Sequence, residues 1–197
     1  MNNILFIKSS LNGNQGQSNI LGKMLVSNLQ DNANVSVVER DLANDSLPHL
    51  TQHEMLAWMI DEKDRTKEQV ELAATSGRLI EELNNSDTIV IAMPMYNFGI
   101  PSTFKAWVDR VARAGVTFRY TENGPVGLLK NKKVIVVAAR GGVYSGTEHD
   151  SQTQYLKDFL AFIGIEDVTF VYAEGLNMPG NETRLLTAQN ELTRITL

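Results

Sequence analysis

Short apolar runs rich in β-branched residues alternate along this chain with longer stretches of helical period, and that alternation restricts the fold more than any other feature. A strand that is apolar on both faces must be covered on both, so the pattern predicts a parallel sheet with helices on each side. Strand one is expected at Ile4 to Lys8, followed by a helix from Ser18 to Gln30 with Leu21, Met24, Leu25 and Leu29 on one face. Strand two is expected at Val35 to Glu39. A polar crossing, Asn44 to Arg65, then holds a short helix around Thr51 to Met59, and a longer helix runs from Thr66 to Leu83. Strand three, Thr88 to Met93, is nearly all apolar and therefore central. The helix Pro101 to Arg113 starts with proline in its first turn and sets Phe104, Trp107, Val108 and Val111 at i, i+3, i+4, i+7. Strand four is Lys133 to Ala139. The helix Ser151 to Ile163 turns Leu156, Phe159, Leu160 and Ile163 inward, strand five is Asp167 to Tyr172, and a last helix covers Asn181 to Ile195. Ala114 to Asn131 has no clear period beyond a turn signal at Asn123-Gly124-Pro125.

Five strand–helix units in 197 residues suit a single domain, 1–197, with the flavodoxin-like, doubly wound order 2-1-3-4-5. Strands one, three and four are then neighbours, and the loops leaving their carboxyl ends open into the crevice where such folds bind ligands. Composition narrows the ligand. Eighteen Lys plus Arg against 23 Asp plus Glu give a net charge of −5, which argues against a nucleic acid or an anionic membrane as partner. The chain has no cysteine, so disulfides, thiolate nucleophiles and Cys-ligated metals are excluded, and a cytoplasmic location is expected. After Met1-Asn2-Asn3 the run Ile4-Leu5-Phe6-Ile7 is ended by Lys8, too early for a signal peptide, and no apolar stretch approaches the roughly 20 residues of a membrane helix.

The three crevice loops are the unusual ones. Ser9 to Ser18 carries no charged side chain, but its hydroxyls, its glycines and the helix start behind it offer donors to a phosphate. Gly16-Gln17-Ser18 lacks the lysine of a nucleoside triphosphate loop, and Gly13 with Gly16 does not make a dinucleotide fingerprint, so a terminal phosphate monoester fits best. An ordinary serine N-cap is the plainer alternative. The second loop, Pro94 to Pro101, places Met95, Tyr96, Asn97 and Phe98 where a flat ring would cover the aromatics and Asn97 would meet its heteroatoms; a plug closing the end of the sheet is the alternative. The third, Ala139-Arg140-Gly141-Gly142-Val143-Tyr144-Ser145-Gly146, has paired glycines that let a ligand edge reach backbone N–H groups, or that simply make a tight turn. Together the loops describe a phosphate at one end, a planar ring at the other and no metal, which is the shape of flavin mononucleotide, FMN.

On these residues the sequence resembles the FMN-dependent NADH:quinone oxidoreductase and NADH-azoreductase family, over essentially the whole chain from Lys8-Ser9-Ser10 to Tyr172-Ala173-Glu174-Gly175. The most specific runs are Met95-Tyr96-Asn97-Phe98 and Val111 to Pro125. The resemblance implies flavin contacts at Ser10, at Gly16, Gln17 and Ser18, at Met95, Tyr96, Asn97 and Phe98, and at Ala139, Arg140, Gly141 and Gly142. Gly16 and Ala139 stand where the family commonly has serine. It further implies a homodimer with active sites at the interface, Phe118 and Tyr120 in the substrate pocket, and two-electron, ping-pong hydride transfer from NAD(P)H, foremost NADH, to quinones and azo compounds. No catalytic side chain is required, because the chemistry belongs to the flavin. Val116, Phe118 and Tyr120 are expected on one side of an extended segment. A flavodoxin-type electron carrier without NADH oxidase activity is the rival reading. His49 and His53, at i, i+4, read as a solvated pair, with no third metal ligand evident. The roles of Tyr144 and of His149, between Glu148 and Asp150, stay open.

Overall fold

In a computed structural model, residues 2–197 are described, so Met1 lies outside the described residues. The elements run β1 (Asn2–Lys8), α1 (Gln17–Asn32), β2 (Val35–Asp41), α2 (Gln52–Met59), α3 (Lys67–Asn84), β3 (Thr88–Pro94), α4 (Ser102–Val111), β4 (Phe118–Thr121), β5 (Gly124–Gly127), β6 (Lys133–Ala139), α5 (Ser151–Ile163), β7 (Asp167–Ala173) and α6 (Asn181–Leu192). Five parallel strands form the central sheet in the order β2-β1-β3-β6-β7, which is the expected 2-1-3-4-5.

Every residue of β3 is buried, and alternation sends its side chains into two cores. Ile89, Ile91 and Met93 meet Trp107, Val111, Leu156 and Leu160 on the face covered by α3, α4 and α5. Val90 and Ala92 meet Leu21, Leu25 and Leu192 on the face covered by α1 and α6. The starts of α2 and α3 are set by threonine caps: Thr51 accepts from the Glu54 amide, and Thr66 with Gln69 forms a reciprocal capping box. Among the described residues no helix is long and apolar enough to cross a membrane.

The segment without period folds as a β4–β5 hairpin, and this corrects one expectation. Phe118 and Tyr120 do share a side, with ring centroids 5.6 Å apart. Val116 does not join them. Residues 113–117 turn back on themselves, with the Val116 and Thr117 amides both donating to Arg113 O and Gly115 at φ +79°, so the extended chain begins only at Phe118. The hairpin docks at the far end of α5, where a Cβ on Gly127 would lie 2.0 Å from Gly164 N.

Candidate functional site

The crevice lies at the carboxyl ends of β1, β3 and β6, where the three unusual loops converge. At its first end, Gly16 is the N-cap of α1 and has no side chain with which to cap. The first hydrogen bond of the helix is Ile20 N to Gly16 O, which leaves the amides of Gln17, Ser18 and Asn19 without an acceptor among the described residues. Beside them the Ser18 hydroxyl is buried with no partner. A buried hydroxyl is rarely left so, since its desolvation costs about 1–3 kcal/mol. Three free amides, an orphan hydroxyl and the positive end of a helix make one set of donors, suited to a phosphate. The Asn19 side chain braces this loop by donating to Gly13 O at 2.9 Å. The space left by the missing side chain at Gly16 is filled by Ser10, whose Oγ would lie 2.1 Å from a Cβ there. Ser10 Oγ accepts from the Asn12 amide (3.3 Å) and lies 3.4 Å from the Tyr96 hydroxyl, which also accepts from the Leu11 amide (3.1 Å). Tyr96 thus links the two ends of the crevice.

At the other end, a cleft of about 450 Å³ is lined by Met95, Asn97, Phe98, Gly141, Gly142, Tyr144 and Asn177. Tyr96 and Gly99 exchange two backbone hydrogen bonds (3.1 and 2.9 Å) around Asn97 (φ 50°) and Phe98 (φ 64°). Positive φ at both central residues defines a type I′ turn, which usually carries glycine. A phenylalanine held there stores about 1–3 kcal/mol and persists only where its surroundings fix it. Here α5 fixes it: Ser151 Oγ donates to Phe98 O, and Gln152 Nε2 donates to Pro94 O (2.9 Å) and Gly99 O (3.1 Å). The half-exposed Phe98 ring meets the edge of Tyr144 at 5.5 Å and His149 at 6.0 Å, placing both at the rim.

Arg140 does not behave as the sequence implied. Its side chain is fully buried and each nitrogen is engaged inside the protein: Nε on Gln152, Nη1 on Glu174, Nη2 on Asp150 and Thr153, with the guanidinium over the Tyr172 ring. Its amide is also spent, on Ala173 O. The buried guanidinium is turned into the protein, so the residue is a hub that shapes the loop. Ala139, likewise, offers only a methyl group, its carbonyl accepting from the Met95 amide. Glu174 accepts from the amides of Tyr144 (3.0 Å) and Ser145 (2.9 Å). The amides of Asn97, Phe98, Gly141 and Gly142 have no acceptor among the described residues. Burial works against the Asp150 charge, but hydrogen bonds from Arg140 and Thr153 outweigh it and hold the carboxyl below its ordinary range.

The structure therefore brings Ser10, Gly16, Gln17 and Ser18 to one end and Met95, Asn97, Phe98, Gly141 and Gly142 to the other. It does not bring Phe118 and Tyr120 there. Phe118 is buried against Phe162, ring centroids 4.2 Å apart, and Phe162 stands near the end of α5 opposite the crevice. Asn177, Gln152 and the Glu174 clamp were missed, since each acts only through partners distant in sequence. Among the described residues no three His, Cys, Asp or Glu side chains gather into a metal site, and His49 precedes α2, so the two histidines share no helical face.

Comparison with known proteins agrees with this geometry. A family described as having a flavodoxin-like fold matches residues 2–195. The chain is 54% identical over 178 residues to an FMN-dependent NADH:quinone oxidoreductase of Alteromonas mediterranea, covering 90% of this chain and 89% of the relative. It is 51% identical over 193 residues to a protein of the same name from Alcanivorax borkumensis, covering 96% and 98%. Among solved structures, an azoreductase from Bacillus anthracis superposes with a TM-score of 0.89 at 28% identity, covering 98% of each chain. An FMN-dependent NADH-azoreductase of the same organism, in complex with FMN, superposes at 0.88 with 27% identity, covering 98% of this chain and 96% of that one.

Proposed function

The chain belongs to this flavodoxin-like family, and from that premise we propose what its crevice does. It is an FMN-dependent oxidoreductase that uses NADH for the two-electron reduction of quinones and the reductive cleavage of aromatic azo compounds. The observation that carries the reading is identity above 50%, across nearly the full length, to relatives named for that activity. The donor set supports it, with phosphate-type donors at one end and free amides beside aromatic walls at the other.

FMN, when bound, supplies hydride acceptance and donation. The residues of the chain do the rest. Ser18 and the amides of Gln17 to Asn19 would hold its phosphate. Met95 to Phe98 would wall its ring, and the free amides of Asn97, Phe98, Gly141 and Gly142 would offer fixed N–H dipoles that favour the charge gained on reduction. No cleft side chain is assigned as general acid or base, and the product takes its protons from water. The cleft between these walls would admit nicotinamide and acceptor in turn.

The purified FMN-loaded protein mixed with NADH and a quinone tests this. Sustained turnover without a second protein is expected, with parallel double-reciprocal plots at several fixed quinone concentrations. A pure electron carrier would give no turnover, and intersecting lines would mean that both substrates bind together.

The active form is a cytoplasmic homodimer in this reading. Exposed Tyr120 and Val126 on the hairpin, and Met55, Leu56 and Met59 on α2, supply apolar surface for a second copy. In this reading Tyr120, exposed on the hairpin and away from the crevice of its own chain, walls the substrate space of the other copy, and Phe118, buried against Phe162, backs it. Light scattering at assay concentration should give a dimer, and Tyr120→Ala should raise KM for bulky aromatic acceptors while FMN binding stays intact. A fully active monomer, or an unchanged acceptor profile, contradicts the respective half of this arrangement.

A further inference from the structure

One buried side chain that a ligand would not touch joins both walls of the ring cleft. Gln152, 1% exposed, stands in the first turn of α5. Its Nε2 donates to Pro94 O at 2.9 Å and Gly99 O at 3.1 Å, and its Oε1 accepts from Arg140 Nε at 3.3 Å. A primary amide has two N–H donors and one carbonyl acceptor, so these three partners fix its orientation and exhaust its donors. Glutamate in its place would aim an acceptor at two carbonyls, and methionine would take both donors away from these carbonyls and leave the Arg140 Nε–H unmet. Pro94 and Gly99 bracket the strained turn. Arg140 in its turn holds Glu174, which accepts from the Tyr144 and Ser145 amides on the opposite wall. A continuous line of hydrogen bonds therefore runs from Gly99 through Gln152, Arg140 and Glu174 to Tyr144.

We propose that Gln152 is a positioning residue that ties the Tyr96–Gly99 turn to the Arg140 hub and so fixes the spacing between the amides of Asn97 and Phe98 on one wall and of Gly141 and Gly142 on the other. Its mechanical half stands on the chain alone, whereas its consequence for the reaction rests on the flavin reading given above. Preorganised donors matter most where charge develops, so their spacing bears more on the reduced than on the oxidised ring.

Gln152→Met and Gln152→Glu test this, with Gln154→Met on the exposed face of the same helix as reference. In the flavin-free protein, amide exchange followed by NMR should quicken at least ten-fold at Tyr96 and Gly99 in both Gln152 variants, with the β3 amides Ile89 to Ile91 unchanged. In the FMN-loaded protein, the affinity for reduced relative to oxidised FMN, read from the midpoint potential, should fall at least five-fold in Gln152→Met and stay unchanged in Gln154→Met. Exchange at Tyr96 and Gly99 rising no more than in β3 overturns the mechanical half, and an unchanged affinity ratio overturns its consequence. If Gln152→Glu does not fold, Gln152→Met carries both readouts. A wild-type chain that binds no FMN would instead sink the flavin reading and leave the exchange result to decide the role of Gln152.

Discussion

The two ends of the crevice are built in opposite ways. The phosphate end comes from one continuous segment, Ser9 to Asn19, whose only positive φ falls on Gly13 and whose donors exist because a helix happens to start there. The ring end is assembled from four separate stretches, 94–99, 140–145, 174–177 and the first turn of α5, and it holds Asn97 and Phe98 at positive φ over a buried arginine. One end is relaxed and presents three free amides and an unmet hydroxyl, while the other is strained and presents the free amides of Asn97, Phe98, Gly141 and Gly142 on a frame tied together by Gln152, Arg140 and Glu174. Local structure is enough to present amides to an anion, whereas a fixed planar slot needs support from several elements at once.

Substitutions that strike one end and spare the other can break this contrast. The largest effect is expected from Arg140→Met, which leaves Asp150 and Glu174 buried without their cation. Urea unfolding should show about 3–5 kcal/mol of lost stability, and a loss under 1 kcal/mol would mean that the ring end does not depend on the hub. Next comes Ser18→Ala. It removes one charge-assisted hydrogen bond to phosphate, about 1.5–3 kcal/mol of FMN affinity, and leaves riboflavin affinity unchanged. The same change relieves an unmet buried hydroxyl, so the melting temperature of the flavin-free protein should hold or rise. Equal weakening of both flavins would show that Ser18 does not touch the phosphate.

Phe98→Gly is expected to alter the stability of the flavin-free protein by less than about 1 kcal/mol, because relief of positive-φ strain offsets the lost edge contact with Tyr144. Deleting a packed aromatic such as Phe104 would cost about 3–5 kcal/mol by comparison. The smallest effect concerns pH. The Asp150 carboxyl has its folded pKa depressed, so the stability it adds is present above its unfolded value near 4 and is lost as pH falls through the lower folded value. Asp150→Asn should flatten that acid limb of the stability curve, and an unchanged limb would assign the acid sensitivity to other carboxylates.

What the sequence disclosed follows the same division. β6 and α5 fall on their expected limits, Lys133–Ala139 and Ser151–Ile163, because burial on both faces makes β6 one apolar run and burial on one face gives α5 its helical period. The donor set from Ser9 to Asn19 was legible because its members lie in order along one loop. The hairpin was not, since Gly127 is placed by its fit against Gly164 and no local period marks it. Arg140 was misread for a similar reason: an arginine beside two glycines looks available until Gln152, Asp150 and Glu174, from two other elements, are folded onto it.

If one crevice holds a flavin by its phosphate at one end and its ring at the other, calorimetric titration of the flavin-free protein with FMN, riboflavin and FAD will rank the three by what each end contributes. One FMN per chain is expected, bound at least about ten-fold more tightly than riboflavin, with FAD weaker than FMN. Riboflavin bound as tightly as FMN, or FAD bound more tightly, would contradict it.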